Sequence, residues 1–169
     1  MKAVILAAGE GIRLRPLTLT RPKHLIPVGG KPLLEHLLTS LKAAGINDVL
    51  IVVHYMADKI QQFFGNGERL GMNLEYVVQK HIGGTAEAVG MAEEYVKEDF
   101  LLVYGDLYIA PNVIKHILRS YEKGKSAAVM TVVSVKNPEQ YGIVKLDGSY
   151  IIDIVEKPQP KEAPTNLAN

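Results

Sequence analysis

The sequence contains no cysteine, which excludes a disulfide framework, a thiolate zinc site and a cysteine nucleophile. That absence fits a reducing compartment, and a cytoplasmic protein is expected. Long apolar runs are also missing. The longest stretches, such as residues 49–53, are far too short to cross a bilayer, so no membrane partner is expected. Met1-Lys2 leads straight into a strand-like run, with no small-residue cleavage site after a longer apolar region, and no signal peptide is expected. An excess of one charge sign is lacking too. The 19 Lys and Arg stand against 18 Asp and Glu, a formal charge of +1, so no global field draws the chain to nucleic acid. What is present is 169 residues, 47% hydrophobic and 22% charged. These values exclude a disordered tail or a collagen-like fibre and suffice for one well-packed domain rather than two.

The near neutrality hides an asymmetry. Residues 1–34 carry six cations (Lys2, Arg13, Arg15, Arg21, Lys23 and Lys31) against one acid, Glu10; the remainder has thirteen cations against seventeen acids. A local basic cluster in a neutral protein points to a small anionic ligand rather than a polyanion, which draws a broad basic face. Charge alone leaves a solvated surface loop open as well.

The pattern alternates strand and helix. Ala3-Val4-Ile5-Leu6 is a buried strand feeding Ala7-Ala8-Gly9. Residues 32–44 read as a helix: Pro32 suits its first turn, Leu33, Leu34, Leu37, Leu38 and Leu41 line one face, and Gly45 suits the position just past its end. Strands are expected at 48–54, 74–79 and 100–104, and helices at 57–64, 85–96 and 111–123. After Gly124 the rhythm changes. Residues 127–135, 142–146 and 150–155 read as strands, with Asp147-Gly148 as a hairpin turn between two of them, and 157–164 as an exposed loop. No internal repeat is visible. Near-continuous apolar strands alternating with helices predict a doubly wound α/β fold, with a mixed, mostly parallel sheet covered on both faces. Ligands of such sheets bind at the carboxyl ends of the strands, where the strand order switches. The segments to inspect are therefore 8–15, 79–85 and Gly105-Asp106.

The loop after the first strand, Leu6-Ala7-Ala8-Gly9-Glu10-Gly11-Ile12-Arg13-Leu14-Arg15-Pro16, is the most informative. Gly9 and Gly11 let the backbone approach a phosphate and turn N–H groups toward it. Arg13 adds a planar, permanently charged fork. A dinucleotide fingerprint fails, because its third glycine position is Leu14 and the second strand ends at His54-Tyr55 rather than at an acid. A P-loop around Gly30-Lys31 fails because its first glycine would fall at Leu25 and Pro32 replaces the Ser or Thr. A glycine-rich turn with solvated arginines stays open for this loop by itself. Lys23, ten residues after Arg13, follows Arg21-Pro22 in a proline-punctuated segment ending Leu25-Ile26-Pro27-Val28, stiff enough to hold it near the glycines.

Residues 6–18, 22–23 and 26–36 resemble the opening of the sugar-1-phosphate nucleotidylyltransferases, a strand followed by Leu-Ala-x-Gly-x-Gly-x-Arg-Leu-x-Pro-Leu-Thr and then Pro-Lys. Further along, Gln79 with Gly83-Gly84-Thr85-Ala86-Glu87-Ala88-Val89 is similar to that family's base-recognition segment, and Tyr104-Gly105-Asp106 to its metal-binding Gly-Asp. Tyr141-Gly142-Ile143-Val144 is similar to its Tyr-Gly-Val/Ile strand, Val155-Glu156-Lys157-Pro158 to its Glu-Lys-Pro, and residues 165–169 to the lead into a sugar-contacting strand. The matches are collinear across the whole chain.

The resemblance implies transfer of a nucleotidyl group from UTP or dTTP to a hexose-1-phosphate, glucose-1-phosphate or N-acetylglucosamine-1-phosphate, giving an NDP-sugar and pyrophosphate. The nucleophile is a phosphate oxygen already deprotonated at neutral pH, so positioning and charge neutralisation suffice. It implies Arg13 and Lys23 as catalytic residues, and nucleotide contacts from Leu6, Ala8, Gly9, Gly11, Gln79, Gly84 and Thr85. Asp106 would hold Mg²⁺, and Tyr141, Gly142, Glu156, Lys157 and Asn169 would contact the sugar phosphate. Segments 85–89 and 105–107 stand nearer the uridylyl than the thymidylyl type. Taken one at a time, Asp106 reads as a turn cap, Gln79 as a surface residue and Glu156-Lys157 as a solvated pair; as a collinear set they read as a site. His24, His36, His54, His81 and His116 lack metal-ligand spacing and read as structural or surface residues.

The family's second metal-binding Asp lies beyond its Glu-Lys-Pro, past residue 169. The chain is therefore expected to be a single nucleotidyltransferase domain, 1–169, forming the N-terminal portion of a longer enzyme. An unpaired sheet edge, self-association into homo-oligomers and poor turnover are expected with it. A non-catalytic nucleotide-binding or regulatory subunit is the alternative.

Overall fold

The structure, a computed structural model, describes residues 1–81, 83–124 and 126–169. It comprises two compact units, Met1–Lys115 and His116–Asn169. In chain order the first unit contains β1 (Lys2–Ala7), the short pair β2 (Pro27–Val28) and β3 (Lys31–Pro32), α1 (Leu33–Ala43), β4 (Asp48–Val53) and α2 (Ala57–Phe64). β5 (Asn73–Val78), α3 (Thr85–Gly90) and β6 (Phe100–Tyr104) follow, and α4 (Pro111–Lys123) begins before the unit ends. The second unit continues through β7 (Val133–Ser134), β8 (Gly142–Asp147), β9 (Tyr150–Glu156) and β10 (Leu167–Ala168).

The first unit is built on a parallel sheet of order β5-β4-β1-β6. β1 and β4 are almost wholly buried, as unbroken apolar runs covered on both sides must be. The connections leave β1 in one direction toward β4 and β5, then return to β6 on its other side. Right-handed crossovers running in opposite directions put their helices on opposite faces. One face is closed by α3 and the turn after it: Ala88 and Ala92 pack with Val4, Leu50, Val52 and Val77. On α1 the expected leucine stripe is fully buried at Leu34, Leu37, Leu38 and Leu41. Gly45, at φ 93°, ends that helix with paired bonds, Gly45 N–H to the Lys42 carbonyl and Ile46 N–H to the Leu41 carbonyl. β6 is an edge strand of this sheet.

In the second unit the antiparallel order is β7-β10-β8-β9. Asp147 pairs with Tyr150 across a two-residue turn in which Gly148 has φ 57°, the hairpin that Asp-Gly predicts. Two expectations change. The helix predicted over 85–96 ends at Gly90 and continues as turns, since a mid-helix glycine is costly. The strand predicted over 127–135 is paired only at Val133–Ser134, because a strand needs a ladder partner as well as an apolar sequence, and β10 supplies just two residues. No helix among the described residues is long and apolar enough to cross a membrane.

Candidate active site

The strand order of the first unit reverses between β1 and β6, so the loops leaving those two strands face one crevice. From β1 comes the glycine turn. Gly11 has φ 67°, left-handed territory, and a Cβ there would lie 2.9 Å from Thr18 Cγ2 and 3.1 Å from Lys23 Cβ. Conformation and space both require glycine. A Cβ on Gly9 would lie 3.4 Å from Lys23 Nζ, so the ammonium rests against the turn. The Lys23 Nζ also donates to Asp106 Oδ2 at 2.5 Å, across 83 residues of sequence. Asp106 leaves β6 directly after Gly105, whose N–H donates to the Leu6 carbonyl at 2.9 Å. Gly9, Gly11, Lys23 and Asp106 therefore stand together. Arg13 sits exposed on the single turn Ile12–Leu14, with no ion-pair partner among the described residues.

Electrostatically the cluster is set up for an anion and a cation at once. Burial pushes the Asp106 carboxyl up, but the Lys23 hydrogen bond and charge outweigh it, with help from the Asp106 backbone and His24, and hold it below the usual carboxylate range. The carboxylate stays ionised. Beneath it His24 is fully buried, and burial lowers its pKa to about 4, with the Lys23 charge pushing the same way and Asp106 opposing. The ring is neutral near pH 7 and adds no charge. A Cβ on Gly105 would meet His24 Cδ2 at 3.1 Å, so the glycine lets the strand end settle onto the imidazole. Both His24 nitrogens lack partners among the described residues.

Gln79 follows β5, two strands away from β1 along the same sheet edge, a separation of roughly 10 Å. The surface position that the residue suggests when read singly is not what the structure holds: Gln79 is only 2% exposed, and its amide nitrogen has no partner among the described residues. An unpaired buried donor costs about 1–3 kcal/mol, and a hydrogen-bond acceptor brought to it would relieve that cost. Gly84, at φ 96°, and Thr85 are exposed at the start of α3; Ile82 lies outside the described residues. The Leu6 and Ala8 carbonyls accept from Gly105 N–H and Tyr55 N–H.

In the second unit another group converges. Gly142 pairs with Glu156 in the β8–β9 ladder, and its carbonyl accepts from Asn169 N–H at 3.1 Å. A Cβ on Gly142 would meet Asn169 Oδ1 at 2.5 Å and Glu156 Oε2 at 3.1 Å, so both polar ends lie over this glycine. Lys157, at φ 47°, donates its N–H to the Tyr141 carbonyl and sets its Nζ 3.5 Å from Glu156 Oε1. Tyr141, Gly142, Glu156, Lys157 and Asn169 thus form one polar surface. Residues that the sequence did not mark as functional also emerge. Thr18, 1% exposed, donates its hydroxyl to the Gly11 carbonyl at 2.9 Å, and Tyr55 donates to the Thr18 carbonyl at 2.9 Å. The Thr18–Tyr55 bond joins residues 37 apart and carries no sequence signal.

The family model for nucleotidyl transferases matches residues 2–169. A Haloferax volcanii protein named low-salt glycan biosynthesis nucleotidyltransferase Agl11 is 39% identical over 99% of the chain and 47% of its own length. A Methanocaldococcus jannaschii protein named bifunctional protein GlmU is 39% identical over 100% of the chain and 38% of its own length. The chain thus spans about half the length, or less, of these curated relatives. A Bacillus anthracis crystal structure assigned as a glucose-1-phosphate thymidylyltransferase, in complex with a sucrose, superposes with a TM-score of 0.89 at 34% identity, over 99% of this chain and 68% of that one.

Proposed function

The chain belongs to the nucleotidyl transferase family, and on that premise we propose that it serves transfer of a nucleotidyl group from UTP or dTTP to a hexose-1-phosphate. The observation that carries this reading is Lys23 Nζ, lodged between the glycine turn and the Asp106 carboxylate. An oxygen of the sugar phosphate attacks the α-phosphorus in line. A new P–O bond forms, the bond from the α-phosphorus to the bridging oxygen breaks, and pyrophosphate leaves with the electron pair. The N–H groups of the glycine turn and the Lys23 ammonium hold the triphosphate, and Arg13 neutralises charge as it develops on the leaving group. Gln79 reads a base carbonyl with its amide, beside Gly84 and Thr85. Glu156 and Asn169 take sugar hydroxyls, and Lys157 the sugar phosphate.

Mg²⁺ suits Asp106, because this cation is held through one or two carboxylates together with substrate phosphates rather than in an all-protein cage. When bound it supplies charge neutralisation on the phosphate oxygens. The alternative reading is nucleotide binding with little turnover. Substrates of this class support a cytoplasmic site of action. Pyrophosphate release from UTP or dTTP with glucose-1-phosphate or N-acetylglucosamine-1-phosphate and Mg²⁺ decides between the readings. If the transfer reading holds, release is measurable and Arg13→Ala abolishes it with unfolding unchanged. Calorimetric binding without release establishes the second reading, and absence of both removes each.

A further inference from the structure

We infer that His54 and Tyr55 are a positioning pair that holds the phosphate-binding turn and Gln79 in one register; the inference rests on the nucleotide-binding reading above. β4 lies between β1 and β5, with Val53 opposite Ala7 on one side and Val78 on the other. The two residues that leave β4 emerge between the two ends of the proposed nucleotide site, and each serves one end.

Tyr55 serves the phosphate end. Its N–H donates to the Ala8 carbonyl at 3.4 Å, a long bond, and its hydroxyl donates to the Thr18 carbonyl at 2.9 Å. Thr18 passes the contact on through its own hydroxyl to the Gly11 carbonyl, so the turn is tied from beneath. Lys59, in the first turn of α2, adds a bond from Nζ to the Thr20 carbonyl at 2.6 Å. His54 serves the base end. Its Nδ1 lies 2.6 Å from the Gln79 carbonyl. A carbonyl only accepts, so Nδ1 carries the hydrogen. Gln79 N–H donates to the Val53 carbonyl at 2.8 Å. The Gln79 backbone is thus held on both sides of its Cα, which fixes where the unpartnered amide points. Met56, directly after Tyr55, has φ 51°, a left-handed conformation that a non-glycine residue adopts only where surrounding contacts impose it. Neither His54 nor Tyr55 is proposed to touch the reacting groups; they act through Gly11 and Gln79.

The test is calorimetry on the full chain with UTP, CTP and inorganic tripolyphosphate in the presence of Mg²⁺, with thermal unfolding alongside. Tyr55→Phe removes one hydroxyl and is expected to weaken UTP and tripolyphosphate by the same factor, about fivefold, leaving the UTP-to-CTP ratio unchanged. Thr18→Val is expected to reproduce that pattern and stands in should Tyr55→Phe unfold. His54→Leu is expected to spare tripolyphosphate and cut the UTP-to-CTP ratio about fivefold. His54→Asn, which keeps a donor near Nδ1, is expected to restore the ratio. His54→Leu weakening all three ligands alike, or Tyr55→Phe and Thr18→Val shifting only the unfolding midpoint, overturns the pair's role while wild-type UTP binding leaves the nucleotide reading standing. A wild-type chain that binds none of the three overturns both.

Discussion

The two polar groups of this protein are assembled in opposite ways. In the first unit Lys23 and Asp106 meet across 83 residues, through the parallel sheet and the reversal of strand order between β1 and β6. In the second, Gly142 and Glu156 meet locally, through a two-residue turn and a one-residue register shift between Lys145 and Leu146 in the same hairpin. The surroundings differ as well. β4 is buried along nearly its whole length, whereas β9 is exposed at almost every residue. A group assembled by long-range packing fails when one buried contact is lost. A group assembled by local pairing tolerates change until the register slips.

The largest effect expected from breaking this contrast is on turnover. Lys23→Met removes the ammonium from the glycine turn and leaves Asp106 without its partner; pyrophosphate release should fall by about 10²–10³, measured in steady state.

Acid should separate the two units next. The folded-state pKa of His24, about 4 against an ordinary 6.5, means that the unfolded chain takes up a proton the native ring refuses. Stability is then greatest above pH 6.5 and falls as pH drops toward 4, by about 3 kcal/mol. Asp106, held low, acts in the same direction, losing its contribution as pH falls through its native pKa. Hydrogen exchange between pH 7 and 4 should show amides of β1 and β6 losing protection before those of β8 and β9, and His24→Leu should flatten the dependence.

A pair of glycines sharpens the comparison further. Gly11→Ala meets both an unfavourable φ and Thr18 Cγ2, and should cost about 3 kcal/mol in urea unfolding. Gly148→Ala, at a similar φ with nothing within 4 Å, should cost about 1 kcal/mol. The smallest effect is expected at the hairpin surface. Glu156→Gln should raise KM for the sugar phosphate about threefold, with kcat and unfolding nearly unchanged, because the Lys157–Glu156 pair it breaks is exposed.

Much of this was legible in the residues. The apolar runs of β1, β4 and β6, the leucines of α1 closed by Gly45, and the Asp147-Gly148 turn each announce their conformation locally, since their periodicity or backbone demands are local. That Lys23 lies against the glycines was legible because the loop carrying them is short and stiff. His24 and Gln79 were not legible as buried groups. A lone histidine or glutamine beside a strand has no sequence signature for burial, and burial is what sets the protonation of the first and leaves the amide of the second unpaired. Thr18 and Tyr55 were missed for the same reason: a link between residues 37 apart exists only once β4 lies beside β1.

The order of strands and helices, the places where glycine is obligatory and the chemistry carried by each loop were determined by the chain's own pattern, because backbone preference and hydrophobic period act over a few residues. Which loops face one another was decided by the tertiary structure alone. The reversal between β1 and β6 sets Asp106 beside Lys23, and the central place of β4 lets His54 and Tyr55 reach both neighbouring strand ends. Strand order follows from burying both faces of one sheet, a requirement of the whole first unit that no single segment contains.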